Sequence, residues 1–345
     1  MRPVKLSGSK GQLLAVPESH AISFLQMRDT LLGQVDSILL FDTTFAFETS
    51  PGSPMRNRKA FWTSGDMTSD GNDEVVIALD TLVVIYRWSG TTFVPETMTL
   101  PRAACQMVVG DIDNDGRNEL IACCDTTTNG RWREGYPGMR YCVYICRLAG
   151  KELEVIWNDS AKLGYGEPIM PDYFWSVADF QNVGHNQLLV TRSQSDVSPT
   201  IYDLLEWNRD ASSLVRRTSF LISDTIASTS GRTWDVYPYA IGRMQPLRTD
   251  LGTIVMVEYG DTGTSSWGDY GTVFRQRLLR ISGGAVRSFG EIWYQEYPYC
   301  SNFYGTLAPD GRGNGIIYIW FTDPLNCCFE SRRVIVSGPQ QGKER

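Results

Sequence analysis

The sequence has few of the side chains from which most zinc and catalytic sites are built. It contains two histidines, His20 and His185, and no Cys-x-x-Cys pair among its eight cysteines, so a structural zinc site is not expected. The Gly-x-Ser-x-Gly and His-Glu-x-x-His motifs, the phosphate-binding loop and the dinucleotide fingerprint are also absent. These absences favour a protein that is not an enzyme.

Positive charge and long apolar runs are scarce as well. The formal net charge is −7, whereas a general nucleic-acid binder needs a basic surface to displace counterions from phosphates. Nucleic acid is therefore not an expected partner. No run approaches the roughly 18 apolar residues of a membrane span. The N-terminal MRPVKLSGSKGQLLAV lacks the apolar stretch of a signal peptide.

The sequence is instead rich in a repeated element, and its clearest copy is GDIDNDGRNEL at residues 110–120. Residues 64–80 match residues 109–125 almost position for position, with a glycine-aspartate start, an acidic loop and a hydrophobic strand. More divergent copies keep the loop and the strand that follows it. These copies occupy residues 7–17, 177–193, 240–260 and 304–321.

Each copy is followed by an alternating strand and a tight hairpin, such as VVIYRWSGTTFVPE and YICRLAGKELEVIW. β-Branched and aromatic residues alternate there with polar ones, and SGT or AGK forms the turn. No segment shows a sustained helical period. The unit is therefore predicted to contain four strands, A to D, with a loop between A and B and a variable connection between B and C.

Four-stranded units that recur along a whole chain are typical of a β-propeller. The sequence predicts an all-β fold, a single propeller over residues 1–345, with about six four-stranded blades, while five or seven blades stay open. The predicted blades begin near residues 2, 60, 104, 172, 234 and 299. The last blade is expected to be incomplete, and the ring is expected to close between the two termini.

The segment from Asp111 to Glu119 gathers four carboxylates within nine residues. Because like charges repel, such a loop needs either a bound cation or full solvation. Calcium takes about six to eight oxygen ligands, and alternate residues of a tight loop can all point inward. An EF-hand is excluded, since its twelfth position would be Ile77 or Ala122 and strands rather than helices follow. A solvated acidic turn without an ion stays the alternative.

The glycine-aspartate start, the DxDxDGxxE loop and the hydrophobic strand resemble the FG-GAP/VCBS repeats. Such repeats form the propellers of integrin α-subunits and of many bacterial surface proteins. The resemblance implies a calcium ion in the A–B loop of the two best-preserved copies. The implied ligands are Asp111, Asp113, Asp115, Glu119 and the Arg117 carbonyl in one loop, and Asp66, Thr68, Asp70, Glu74 and the Asn72 carbonyl in the other. In the third copy, glutamine replaces two of these acids, so no ion is expected there.

The long insertions of the chain fall on one face of the predicted propeller. The A–B and C–D hairpins lie on one face of such a ring, and the B–C loops and D–A connections lie on the other. On this second face, aromatic, charged and glycine residues are mixed, which suits recognition of a glycan or a protein. The candidate ligand-binding residues are Arg131, Trp132, Arg133, Tyr136, Trp267 and Tyr270. A solvated loop without a ligand stays open for them.

The favoured function is a non-catalytic binding propeller that is stabilised by calcium and recognises a glycan or a protein through the insertion face. One alternative is a carbohydrate-active enzyme, a polysaccharide lyase or a glycosidase, with carboxylates such as Asp261 and Asp269 on that face. Another alternative is a self-associating structural subunit of a surface assembly or filament.

Two further expectations concern the cellular compartment of the protein. Cys124 and Cys142 flank one predicted hairpin and can form a disulfide where the compartment is oxidising, with buried thiols as the alternative. The family resemblance and the high calcium concentration outside cells favour a secreted or cell-surface protein. The lack of a signal peptide in this sequence argues the other way.

Overall fold

The computed structural model describes residues 2–6, 13–18, 20–28, 31–40, 42, 44–47, 58–125, 141–159, 175–192, 201–221, 226–227, 233–234, 244–249, 252–264, 270–282, 285–297, 303–309, 315–323 and 328–336. All regular elements in these ranges are β-strands. Within them, no helix is long and apolar enough to cross a membrane.

The N-terminal part of the chain forms two sheets. The strands of the first are β1 (Arg2–Val4), β2 (Leu13–Pro17), β3 (Ala21–Arg28) and β4 (Leu31–Leu39). The strands of the second are β5 (Phe45–Phe47), β6 (Arg58–Gly65), β7 (Glu74–Leu79), β8 (Leu82–Trp88) and β9 (Phe93–Thr99). Strands pair antiparallel in sequence order in both sheets, except that the short β5 lies parallel to β6.

The middle of the chain forms two sheets of four antiparallel strands each and a short ribbon. The strands of the third sheet are β10 (Ala104–Gly110), β11 (Glu119–Asp125), β12 (Tyr141–Ala149) and β13 (Glu152–Asp159). The strands of the fourth are β14 (Ser176–Ala178), β15 (Gln187–Arg192), β16 (Ile201–Asn208) and β17 (Ser213–Leu221). The ribbon pairs β18 (Ile226–Ala227) with β19 (Thr233–Trp234).

The C-terminal part adds a four-stranded and a three-stranded sheet. The strands of the fifth sheet are β20 (Met244–Thr249), β21 (Gly252–Thr264), β22 (Tyr270–Ser282) and β23 (Ala285–Tyr297). The strands of the last are β24 (Phe303–Pro309), β25 (Gly315–Asp323) and β26 (Cys328–Val336). All of these strands pair antiparallel in sequence order.

Neighbouring sheets contact one another around a ring. β6 contacts β1 and β10, β14 contacts β10 and β20, and β24 contacts β20 and β1. The predicted all-β propeller is therefore confirmed, with five blades that each contain four antiparallel strands. The three-stranded sheet β24–β26 lies between the fifth blade and the first, and all of its described strands come from the C-terminal segment.

The predicted blade boundaries near residues 172 and 299 lie outside the described residues. The fifth blade begins at Met244, while Thr233–Trp234, next to the boundary predicted near residue 234, belong to the separate ribbon. The expected closure of the ring by pairing between the termini stays a prediction.

β7, the strand that follows the acidic loop of the second blade, is buried on both sides because its sheet lies between the first and third blades. In β7 (EVVIAL) all six residues are buried. Val75, Ile77 and Leu79 pack in a cluster with the first blade. Val76 and Ala78 point the other way, into a cluster with the third blade. Because side chains alternate along a strand, one hydrophobic strand supplies two inter-blade cores, which explains its continuous apolar sequence.

A glycine precedes each acidic loop because the first strands of neighbouring blades approach closely there. A Cβ added to Gly65 would lie 2.6 Å from Val109 Cγ1, and one added to Gly110 would lie 2.6 Å from Val177 Cβ. Cβ atoms essentially never lie this close to another atom, so one of the two strands would have to move. The glycine of the repeated motif thus keeps the ring closely packed.

We expect Gly110→Ala to lower the free energy of unfolding by about 1–3 kcal/mol, the usual cost of forcing an extra methyl group into a packed interior. The φ angle of Gly110 is not in the left-handed region, so the loss comes from the collision with Val177. Urea denaturation monitored by tryptophan fluorescence measures it.

The double variant Gly110→Ala/Val177→Ala is the matched control. Val177→Ala removes the methyl groups that the new Cβ would meet, so the double variant should lose less stability than the two single variants added together. Strictly additive losses would contradict this account of the glycine.

Candidate metal centre

The second and third blades each contain an acidic loop between two consecutive strands of the same blade. Residues 66–73 connect β6 to β7, and residues 111–118 connect β10 to β11. Gly65 pairs with Glu74 at the base of the first loop. The pair Gly110 and Glu119 occupies the same place in the second. Each loop therefore starts and ends at one register position, which brings its glutamate beside its first aspartate.

The first aspartate of each loop holds the turn. Asp111 accepts hydrogen bonds from the backbone N–H groups of Asp115 and Gly116, both at 3.0 Å. Asp66 accepts the two corresponding bonds in its own loop at 3.1 and 2.9 Å. Asp179 does the same in the fourth blade at 2.7 and 2.9 Å. This aspartate therefore closes the turn even where the other acids are missing.

The residue at the end of each loop closes it from the other side. Glu119 Oε2 accepts the N–H of Ile112 at 3.2 Å. Glu74 Oε2 accepts the N–H of Met67 at 2.7 Å, and its Oε1 accepts the Thr68 hydroxyl at 3.0 Å. Both glutamates are almost fully buried, so their charges lie inside the protein rather than in solvent.

The fourth blade shows how the loop is built without these acids. Gln187 replaces the glutamate, and its Oε1 accepts the N–H of Gln181 at 3.2 Å. Its Nε2 donates to Gln181 Oε1 at 2.8 Å. Two neutral amides thus bind each other where two carboxylates stand in the third blade, and this arrangement needs no cation.

The oxygen atoms of the Asp111 loop have a spacing that suits a cation. Carboxylate oxygens from Asp111, Asp113 and Asp115 lie within 4.8 Å of one another. Oxygens that share one calcium ion at about 2.3–2.6 Å are at most about 5 Å apart, so the three aspartates fit. Arg117 donates its N–H to Asp115 Oδ1 at 2.9 Å. The role of its carbonyl as a ligand stays a prediction.

The predicted ligands of the Asp66 loop are paired with one another. Thr68 donates to Glu74, as described above. Asp70 Oδ1 accepts the backbone N–H of Asn72 at 2.8 Å and its side-chain amide at 2.9 Å. A cation in this loop would have to compete with these internal hydrogen bonds, and the ligand set implied there stays a prediction.

An arginine from a neighbouring strand reaches into the Asp111 loop. Arg147 lies on β12, and its Nη2 is 2.8 Å from Asp113 Oδ2, 2.8 Å from Asp115 Oδ2 and 3.0 Å from Glu119 Oε1. The loop motif alone does not predict the contact of Arg147, because the motif does not show which strand pairs with β11. A signal was present, since an arginine precedes the C–D turn in both YRWSG and CRLAG.

The eighth residue of each loop binds the preceding blade. Asn118 Nδ2 donates to the Asp66 carbonyl at 2.7 Å, and Asn186 Nδ2 donates to the Asp111 carbonyl at 2.8 Å. Asp73 occupies the same position and accepts the N–H of the residue that follows β1 at 2.7 Å. The first aspartate thus serves two blades, because its carboxylate closes its own loop and its carbonyl binds the next one.

A family model described as an FG-GAP-like repeat matches residues 66–122, from the first acidic loop into the strand after the second. Residues 66–122 thus carry an FG-GAP-like repeat, and they lie in the second and third blades of a β-propeller. The family resemblance inferred from the loops is therefore confirmed. No curated protein sequence matches the chain.

The solved structures that are similar to this chain at low sequence identity include the following three. The endo-arabinase from Bacteroides thetaiotaomicron VPI-5482 is 12% identical, with 84% of this chain and 96% of that chain covered and a TM-score of 0.39. Exotype rhamnogalacturonan lyase YesX is 12% identical, with coverages of 97% and 74% and a TM-score of 0.38. The WD40 domain of SCAP from fission yeast is 9% identical, with coverages of 94% and 72% and a TM-score of 0.32. None of these similarities assigns a function.

Burial raises the pKa of both loop glutamates in the FG-GAP propeller. The pKa of Glu119 rises to about 7, since burial outweighs the hydrogen bond from Arg147 and the charge of Asp113 adds to the rise. Burial also raises the pKa of Glu74, with a further contribution from the negative charge of Asp70. A cation bound in either loop would oppose these shifts.

The predicted ligand-binding residues of the insertion face are largely outside the described residues, namely Arg131, Trp132, Arg133, Tyr136 and Trp267. Tyr270 begins β22 and pairs through its backbone with Thr264. The insertion at residues 126–140 leaves β11 after Asp125 and returns at Tyr141, two residues that pair with each other. This pair lies at the end of the strands opposite to the Asp111 loop.

Among the described strands, β21, β22 and β23 of the fifth blade are the longest, with 13 residues each. β20 pairs with residues 252–257. The next seven residues of β21, 258–264, continue past β20 and pair with residues 270–276. Residues 293–297 of β23 add a third strand. These three segments form the blade-5 arm, which is about 24 Å long at about 3.4 Å per residue.

Cys124 and Cys142 lie directly opposite each other on β11 and β12. Both are buried, and their sulfur atoms are not joined in a disulfide. Cys142 Sγ donates to the Cys124 carbonyl at 3.7 Å. Burial raises the pKa of the Cys124 thiol well above its usual range, which keeps it protonated and unreactive. A disulfide between them in an oxidising compartment stays a prediction.

In calcium-free buffer, we expect Glu119 to make the propeller less stable as the pH rises towards 7. Its pKa is about 7 in the folded protein and 4.5 as an ordinary carboxyl. A raised folded-state pKa means that the stabilising contribution is fully present below the ordinary pKa and is lost as the pH rises through the folded one. Melting temperatures in EDTA between about pH 5 and pH 8 test this.

Glu119→Gln is the control, because its amide cannot ionise and Gln187 already occupies this position in the fourth blade. The variant should show a shallower fall in melting temperature across the same pH range. Equal slopes for the variant and the natural protein would show that Glu119 is not the group responsible.

Proposed function

We propose that this chain is a non-catalytic interaction propeller, stabilised by calcium in its A–B loops, that binds a glycan or a protein through the opposite face. The blade-5 arm is the observation that carries the proposal. Its far end, the pair Thr264 and Tyr270, lies at the same end of the blades as the pair Asp125 and Tyr141, between which residues 126–140 run in the sequence. An extended ribbon such as the blade-5 arm, next to long connections between strands, is suited to contacting a partner.

The calcium half of the proposal rests on the donor set of the loops. Asp111, Asp113, Asp115 and Glu119 would hold the ion in the third blade, and the Asp66 loop would hold another. Bound calcium would neutralise the carboxylates and would stabilise the folded state, because the assembled loop exists only there. The carboxylates themselves already hold the turn and the base of each loop, so the ion would add to a preformed loop.

The binding half rests on the composition of the insertion face. Trp132 and Trp267 can stack on sugar rings or fill a pocket in a partner protein, and Arg131 and Arg133 can pair with carboxylates. A location outside the cell, where calcium is plentiful, would suit both halves of the proposal.

The first experiment is binding of the purified protein to a broad glycan array, with calcium and with EDTA. We expect selective binding with calcium, and loss of that binding in EDTA together with a lower melting temperature. A blank array from a folded protein whose melting temperature rises with calcium would exclude the glycan. The protein alternative would then be tested by cross-linking the intact chain to its native partners.

Trp132→Ala and Trp267→Ala test the face itself. We expect each to weaken binding about tenfold or more, as is usual for a buried aromatic anchor, without changing the melting temperature. Val183→Ala is the control, since Val183 is 52% exposed in a loop on the opposite face. Unchanged affinity in both tryptophan variants would refute the proposed binding face.

Turnover would overturn the non-catalytic assignment. If a bound polysaccharide were cleaved, Asp261→Asn and Asp269→Asn should abolish cleavage and preserve binding. If light scattering showed reproducible self-association and no ligand bound, the structural-subunit alternative would replace the proposal.

A further inference from the structure

We propose that Arg147 is a built-in counter-cation of the Asp111 loop, which calcium must displace from Asp113, Asp115 and Glu119 in order to bind. The inference concerns the same loop as the proposed calcium binding and therefore rests on it.

The contacts of Arg147 are those of a cation in a ligand site. One nitrogen atom, Nη2, lies 2.8–3.0 Å from oxygens of three different carboxylates. A calcium ion that used the same three oxygens, at about 2.3–2.6 Å, would overlap with this nitrogen. The guanidinium and the ion therefore exclude each other from these oxygens.

The burial of the loop explains why a positive charge is needed there. The Glu119 side chain is 0% exposed, and the side chains of Asp113 and Arg147 are 16% and 24% exposed. Unpaired carboxylates at such depth would be costly, and charge-assisted hydrogen bonds offset this cost. Arg147 thus stabilises the loop in the absence of an ion, and its long side chain can swing towards solvent when an ion arrives.

A second arginine supports the same loop from the next blade. Arg209 Nη2 is 2.7 Å from the Asn114 carbonyl and 3.3 Å from the Asp113 carbonyl. It binds the backbone rather than the carboxylates, so it can remain in place when calcium is bound. Of the two guanidinium groups, Arg147 is the one that occupies the ligand oxygens.

The second blade has an arginine at the same register position, but its contacts differ from those of Arg147. In the second blade, Val75 pairs with Tyr86, so the next position in register sets Arg87 opposite Glu74. Arg87, however, pairs with Glu96 at 2.8 Å. The arginine at the same register position is therefore held by a carboxylate outside the loop.

The fourth blade carries the complementary change. Leu188 pairs with Leu205, which sets Glu206 opposite Gln187. Gln181 and Gln187 replace two of the loop carboxylates, Val183 replaces a third, and Asp179 keeps the first. The facing arginine is replaced by Glu206, which pairs with Arg217. An arginine at this register position thus accompanies a glutamate at the end of the loop, and it is missing where glutamine ends the loop.

Calcium titration by calorimetry of the natural chain, Arg147→Met and Arg147→Lys tests the proposal, with melting temperatures in EDTA measured in parallel. We expect Arg147→Met to bind calcium about tenfold or more tightly at one site, because a charge-assisted hydrogen bond need no longer be broken. Its melting temperature in EDTA should fall, and the increase on adding calcium should be larger. Arg147→Lys should lie between the two.

Two controls assign the effect to this loop. Arg87→Met should leave both calcium affinities unchanged, since Arg87 pairs outside its loop. Asp113→Asn in the Arg147→Met background should remove the tightened site. If the natural chain bound calcium and Arg147→Met bound it with unchanged or weaker affinity, the counter-cation role would be refuted and the calcium proposal would stand. If no variant bound calcium and EDTA changed no melting temperature, both proposals would fail.

Discussion

The close approach of the first strands of neighbouring blades is the constraint on which the rest of the structure depends. It requires glycine at positions 65 and 110, since any larger side chain there would meet the valine of the next blade. Because each acidic loop begins directly after this glycine, the loops of successive blades also lie side by side. The bonds from Asn118 and Asn186 to the preceding loops are possible only at that separation.

The first aspartate of each loop stabilises the turn, whether or not the other acids are present. Asp179 makes the same two backbone contacts as Asp111, although glutamine and valine follow it where acids follow Asp111. The turn therefore needs its first aspartate and a glycine with positive φ, such as Gly116 or Gly184. The remaining acids can be exchanged for amides without loss of the hairpin, which explains why divergent copies still fold into blades.

The repeat, the strand type and the acidic loops could all be predicted from the sequence, because each depends on residues that are close together in the chain. Arg147 could not, since its place beside Glu119 depends on the pairing of β11 with β12 across an insertion of variable length. The same limit applies to the contacts between blades, such as that of Asn118 with Asp66. The length of the blade-5 arm could not be predicted either. Hydrophobic alternation does not show how far β21 and β22 stay paired beyond the end of β20.

The loops of the second, third and fourth blades differ in how the cost of burying a carboxylate at the end of the loop is offset or avoided. In the fourth blade, glutamine replaces the buried glutamate, and the remaining buried acid, Asp179, accepts two backbone N–H groups. In the second blade, the acid accepts hydrogen bonds from Thr68 and the backbone, which lowers its cost of burial without neutralising its charge. In the third blade, Arg147 supplies a full positive charge. The Asp111 carbonyl also accepts a bond from Asn186, so the loop that Arg147 contacts is joined to the fourth blade as well as to its own strands.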